Sequence, residues 1–568
     1  MKPVFQLQSL LLLFSMVLLA PPVQSQTAGE VYPGSNFGTI PDGPRFLPGI
    51  YGVPRDIRFH VEGRTGSIDT VRVHFSANHV WTGDLRVQLI APDGRSHLLF
   101  ARTGATTGKS FGYESNLTDT NQYRFGDDFG PLTGTNWWVA ANIGDNDIEQ
   151  AQLFSTVIAG GAGVEDPAPE TSMNDSFRGA QPNGTWILRF EDGYREDIGE
   201  VTAAELIITD TGQTHVVTNS LDPVNTAGTL REALTNASPG DLITFSEDLY
   251  ANGPSSIIVN RPLPTIPDGV AIVGPGSHLL NITRLSGDPF RIFHLPAGRQ
   301  ATIQGLRISR GNEDGGFGGG IYSVGNLHLI DVDLFDNSAL SGGGLFSDGR
   351  LTMLRSAVRG NEASFSGGGI TIFPVGEVRI RHTTIYDNSA EVRGGGIYVD
   401  SQPNNLEIEL SNSTIAANSA PLGPGILQAG SGNSSVRLTS NLFADQSPNL
   451  LQIGGHTWVS KGFNLADDDG GNNLALILSD QPDTDPGELS LDIDNGLTPV
   501  LRLPVDSPAL DAGIATDASF FDGRGEGFRR TEELERPNAH RSDGTDIGAF
   551  ELRGPFLFKS RFESGQRR

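Results

Sequence analysis

Cysteine is absent from all 568 residues. Disulfide bonds are thereby excluded, so stability must come from a buried core, from hydrogen-bonded ladders and from any bound metal. Cationic residues are also few, with 40 Lys and Arg against 67 Asp and Glu and a formal net charge of −27. So acidic a surface repels nucleic acid and anionic lipid headgroups, and it offers carboxylates to calcium. Past the N-terminal leader, no apolar run reaches the length of a transmembrane helix. Aromatic residues make up 8% of the chain while glycine occurs 72 times, a balance that suits disorder where glycines are scattered. Here they are not scattered.

The N-terminus carries Lys2, an apolar run from Leu10 to Ala20, Pro21-Pro22, and the small residues Val23 and Ser25 before Gln26. This order reads as a secretory signal peptide over 1–25, because the run is too short to span a bilayer. A secreted, extracellular or cell-surface location is expected. The Gly- and Pro-rich stretch 26–55 reads as a linker.

Between residues 300 and 445 one phrase recurs: a short apolar strand, an Asn, a few small polar residues, a glycine cluster and another strand. The clusters begin at Gly318, Gly342, Gly367, Gly394 and, degraded, Gly423, a step that lengthens from 24 to 29 residues. Asn312, Asn337, Asn361, Asn388 and Asn418 each precede a cluster. A period in the twenties with several short strands predicts a β-solenoid whose coils bury their apolar faces only against one another. Counted back from the Asn, position −10 is Leu327, Leu351, Val378 and Ile408; position −8 is Leu329, Met353, Ile380 and Leu410; position −3 is Leu334, Val358, Ile385 and Ile415. The first two share a strand face, and the odd step to −3 demands a bend. Asn suits such corners because it tolerates left-handed backbone and stacks as an amide ladder. The glycines are expected at tight bends, and no helix follows them to cradle a phosphate.

Residues 56–210 lack the repeat. Alternating runs over 70–75 and 85–90, with the turn Pro92-Asp93-Gly94, predict antiparallel strands of a sandwich. Asn78-His79-Val80-Trp81-Thr82-Gly83-Asp84-Leu85, Phe177-Arg178-Gly179, Pro182-Asn183-Gly184-Thr185-Trp186 and the later Leu206-Ile207-Ile208 resemble the P domain (Homo B domain) of subtilisin-like proprotein convertases. The resemblance implies a jelly-roll β-sandwich that stabilises or targets its neighbour, is not catalytic and often holds calcium. Carried over, Asp84 is implied in loop ordering, and Asp127 and Asp128 match a similar segment. Asp192 and Asp197 join them as calcium candidates on turn character alone, although any of these residues can instead bond its own turn. A separate protease is an implied partner. The chain itself lacks the contexts of a subtilisin triad, since Glu170-Thr171-Ser172-Met173-Asn174 has neither the flanking glycine nor the preceding Asp and His segments.

From Thr214 onward, Gly228-Thr229-Leu230-Arg231-Glu232-Ala233-Leu234 and Pro239-Gly240-Asp241-Leu242-Ile243 resemble the opening of bacterial right-handed parallel β-helix proteins of the pectin-lyase-like type, with a short helix capping the first coil. Ser507-Pro508-Ala509-Leu510-Asp511-Ala512-Gly513 and Thr545-Asp546-Ile547-Gly548-Ala549-Phe550-Glu551 resemble the closing region of the choice-of-anchor group. That group implies attachment through a C-terminal signal, here the tail 553–568, and a β-helix spanning 214–552.

Successive coils lie ~4.8 Å apart, so column −6 aligns Asp331, Arg355, His382 and Asn412. An acid, a cation and a titratable ring side by side suit an acidic sugar and the movement of its proton. The same column also reads as an exposed salt-bridge ladder worth about 0–1 kcal/mol per pair. Column −2, with Phe335, Arg359, Tyr386 and Ala416, suits stacking of sugar rings. The sequence therefore predicts an all-β chain, a jelly-roll sandwich followed by a right-handed parallel β-helix. Its expected role is that of a bacterial adhesion scaffold, not itself an enzyme, that binds carbohydrate or a cell-surface ligand. A polysaccharide lyase or hydrolase using Asp331, Arg355 and His382 is the alternative, and an accessory of a subtilisin-like protease is a third.

Overall fold

The computed structural model describes residues 29–552, except 44–50, 108–109, 128–133, 152, 162, 196, 224–225, 286, 374–375, 402–406, 431–434, 446, 455–456, 470–473, 494–495, 516–520, 526–527 and 529–541. The predicted signal peptide, Asp128 and the tail 553–568 lie outside the described residues.

The N-terminal half is a sandwich of two antiparallel sheets. In one, Ser67–His79 pairs with Gly199–Thr211; in the other, Gly184–Asp192 lies between Arg55–Val61 and Leu85–Ile90. Period-two patterning explains the packing, because Val71, Val73, Phe75 and Ala77 all point into the core while the residues between them reach solvent. Aromatic rings fill the space between the sheets, with Phe100 stacked on Trp137 at 4.4 Å and Phe75 edge-on to Phe190 at 5.0 Å. Described parts of the stretch expected as a linker belong to this domain. Glu30–Ser35 pairs first with Gly199–Thr211 and then, from Gly34 on, with Arg55–Val61, so it stitches the two sheets together. Pro33 and Gly34, which hide the strand in the sequence, sit where it changes sheets.

From Thr214 the chain winds as a right-handed parallel β-helix. Its first sheet has 11 strands running from Thr214–Val217 to Leu474–Ala475; a second has nine, from Ser255–Val259 to Leu465–Ala466; a third has seven, from Phe293–Leu295 to Leu450–Ile453. A helix, Leu230–Asn236, buries Leu230, Ala233 and Leu234 against the first coils. Its start is a capping box, in which Thr229 Oγ1 accepts from Glu232 N and the Glu232 carboxylate accepts from Gly228 N. The −10, −8 and −3 columns pair coil to coil and are buried throughout. Among the described residues, no helix is long and apolar enough to cross a membrane.

The four Asn form one continuous ladder. Asn337 Nδ2 donates to Asn361 Oδ1 at 3.0 Å, Asn361 to Asn388 at 2.9 Å and Asn388 to Asn418 at 2.9 Å. Each Nδ2 also donates to a strand carbonyl, such as that of Leu334 for Asn361. The left-handed residue at this corner is not the Asn but the one before it: Asp336, Gly360, Asp387 and Ala417 all have φ between 54° and 59°. Each triplet glycine has a separate task. The first, as in Gly342 with φ 67°, turns the chain; a Cβ on the second, Gly343, would lie 2.3 Å from the Glu362 carbonyl; and one on the third, Gly344, would lie 3.1 Å from Asn361 Nδ2.

Replacing Asn361 by Ala is expected to destabilise the solenoid, since each buried group it orphans costs about 1–3 kcal/mol. Gly344→Ala should act in the same direction by displacing the same amide. Denaturant unfolding checks both, and an unchanged midpoint would contradict the ladder's role.

Candidate functional site

The −6 column occupies the bend between the first and second sheets. Asp331, Arg355, His382 and Asn412 all adopt left-handed backbone there, with φ from 46° to 53°. Parallel stacking brings Arg355 onto Asp331, and its Nε and Nη2 donate to the two carboxylate oxygens at 2.9 Å each. Nη2 also donates, at 2.6 Å, to the Asp93 carbonyl in the Pro92-Asp93-Gly94 turn of the sandwich. Gly94 lets this turn approach, because a Cβ there would lie 2.3 Å from Arg355 Nη1. From the other side Thr498 Oγ1 donates to the Arg355 carbonyl, and Asn412 Nδ2 donates to that of Ile514. The column is thus roofed by the sandwich and by the C-terminal chain. Arg355 is 4% exposed and His382 0% exposed, which corrects the expectation of an exposed ladder or an open groove.

The outer face of the first sheet is the docking surface for the sandwich. Gln300 Nε2 donates to the Arg178 carbonyl, and Ser67 Oγ bonds the carbonyls of Gly240 and Gly269. His97 is buried and His328 partly buried, and loss of solvent, reinforced by neighbouring arginines, pushes both down to about 3. They remain neutral imidazoles at ordinary pH, with His97 bonded to Ser176 and Thr156.

The acidic candidates separate. Asp127 accepts from Ser172 Oγ and Asn174 N, holding the first turn of the helix Met173–Phe177. Asp84 and Asp192 come together because their strands are antiparallel neighbours, Asp192 lying opposite Leu85. Burial raises the Asp84 carboxyl to about 8, assisted by a hydrogen bond to Asp197 and by the charges of Asp197 and Asp192. Asp192 is fully buried, and its Oδ2 lies 3.6 Å from His79 Nε2. Since His79 Nδ1 accepts from Trp81 N, the neutral ring carries its proton on Nε2, facing Asp192. Among the described residues, no three His, Asp or Glu side chains are grouped as a metal site.

Sequence reasoning missed two features. At the end of the ladder the Asn column continues as Asp445, whose Oδ1 accepts from Asn418 N and Nδ2. Burial, then Asp467 and Asp468, push it up to about 7 against those bonds; its place 27 residues beyond Asn418 was the signal. The second is on the third sheet, where the residue two past each glycine triplet forms a column of Tyr322, Phe346, Thr371 and Tyr398. Phe317 and Phe373 extend it, their centroids 4.7 Å and 5.1 Å from that of Phe346. In the −2 column, by contrast, Arg359 already covers the Phe335 ring at 4.0 Å while bonded to Asp333.

Both raised carboxyls bind a proton in the folded state at pH values where the unfolded chain, near its ordinary value of about 3.9, has released it. Stability is therefore expected to fall as pH rises from about 4 through about 7 for Asp445 and about 8 for Asp84. Asp84→Asn and Asp445→Asn together should flatten the thermal midpoint over this window; an unaltered slope would refute the assignment. Arg355→Ala should cost about 3–5 kcal/mol by orphaning buried Asp331, measured by denaturant unfolding.

The family described as "Right handed beta helix region" matches residues 291–474, and "Proprotein convertase P-domain" matches residues 68–124. No curated protein matches the chain. A solved structure described as the Agl-KA catalytic domain is similar at 9% identity over 76% of this chain and 98% of that chain, with a TM-score of 0.19; at that score it carries no argument.

Proposed function

We propose that this chain, a P domain joined to a right-handed parallel β-helix, is a secreted or surface-displayed scaffold that binds carbohydrate along the third sheet of its solenoid. The observation that supports this reading is the pair of rings Phe317 and Phe365, 41% and 40% exposed, beside the aromatic column of that sheet, whose Phe346 and Tyr398 are themselves buried beneath the surface. Phe317 and Phe365 lie on strands two coils apart, and exposed rings so spaced along one flank offer sugar rings apolar contacts. The P domain acts as a structural partner in this reading, since its Asp93 turn completes the coordination of Arg355. Calcium belongs to it as the ion that Asp84, once deprotonated, would hold with Asp197; a midpoint insensitive to chelator above pH 8 would remove it.

A glycan array probed with the full chain is expected to show retention that Phe317→Ala and Phe365→Ala weaken together. No retention on any glycan would overturn the proposal. Formation of ultraviolet-absorbing unsaturated product from a polysaccharide would instead establish lyase activity.

A further inference from the structure

The aromatic flank also contains a cation of unusual standing. Arg393 lies with its guanidinium 4.6 Å from the Phe365 ring centroid and 4.4 Å from that of Tyr398. Its backbone fixes this position, because Arg393 N donates to the Phe365 carbonyl of the preceding coil. Two other arginines of the solenoid that lie over rings have a carboxylate as well, Arg291 over Tyr322 pairing with Glu313 at 2.9 Å and Arg359 over Phe335 pairing with Asp333 at 3.0 Å, while Arg284 over Phe290 gives its donors to backbone carbonyls instead. Arg393 has no carboxylate within ion-pair distance among the described residues, and its buried Nε has no acceptor. Asp400, two residues past Tyr398, accepts from the Tyr398 hydroxyl at 3.3 Å.

A planar cation sandwiched by rings is held rigid, and the donors at its edge remain directed outward. Held between two rings with neither a carboxylate nor a carbonyl acceptor for its Nε, this guanidinium is available to an anion from outside. Exposed Phe365, Val392 and Leu422 border it, which suits a ligand that is partly apolar and ring-shaped rather than a bare inorganic ion. We infer that Arg393, clamped between Phe365 and Tyr398, is the anion subsite of the glycan-binding flank, taking the carboxylate or sulfate of an acidic polysaccharide while Phe365 packs against the adjoining sugar ring. This inference rests on the scaffold reading and gives it a substrate class.

The test is affinity electrophoresis of the full chain through gels containing a uronate polymer, a sulfated polymer or a neutral glucan. Retardation by one acidic polymer is expected, and its identity tells carboxylate from sulfate. Arg393→Gln should weaken it about tenfold, the scale of a charged hydrogen bond, and Arg393→Lys should recover only part because the planar fork is lost. Arg310→Gln, which removes an exposed guanidinium paired with Asp336, should leave binding unchanged. Each variant is compared at matched thermal midpoint, and added salt should reduce retardation of the parent. Equal losses in the Arg310 and Arg393 variants, or no retardation by either acidic polymer, would overturn the subsite. Retention of neutral glycans in the latter case would leave the scaffold reading standing without it.

Discussion

Everything in the C-terminal half depends on a contact between an amide and the absence of a side chain. The Asn at each corner can reach its successor only because the third glycine of the neighbouring triplet leaves space for Nδ2, and the coils can lie at strand spacing only because the second glycine admits a carbonyl. The two motifs are therefore one device, separated by a few residues in the chain and joined across the corner in space. With each Asn bonding strand carbonyls as well as the next Asn, the corner satisfies buried backbone groups that would otherwise be costly. This is how a protein without disulfides stays rigid over so many turns.

The sandwich and the solenoid are joined by chemistry more characteristic of a core than of a linker. Arg355 bridges a carboxylate of one domain and a carbonyl of the other, and two neutral histidines, His97 buried and His328 partly so, lie near the joint. Buried ion pairs contribute little net stability compared with apolar packing, yet breaking one is expensive. Their effect here is to fix the angle at which the domains meet, with the sandwich seated on the first sheet.

Much of the architecture was legible in the sequence because stacking converts period into neighbourhood. Asn337, Asn361, Asn388 and Asn418 could be placed on one line from spacing alone, as could the apolar columns from Leu327 to Ile408. The fate of the −6 column was not legible. Spacing shows that Asp331 and Arg355 are adjacent, but not that a turn at Asp93, 262 positions from Arg355, closes over them. Glu30–Ser35 was hidden for a different reason, since Pro33 and Gly34 look like linker residues and mark a change of sheet. The aromatic column was available at a constant offset from the glycines, and it was overlooked because its members differ in identity, Thr371 among them.

The coils are not equal in length, yet the ladder does not drift. Between the third and first sheets, Leu345–Ser347 is followed by Leu351–Leu354, whereas Ile370–Ile372 is followed by Val378–Arg381, so that most of the extra length lies in that connection. The rail of amides fixes the pitch while the opposite corner is free to vary. Whole turns can then be gained or lost in evolution as tiles are added to a row, and the reach of the molecule would change by one strand width each time without any revision of the remaining design.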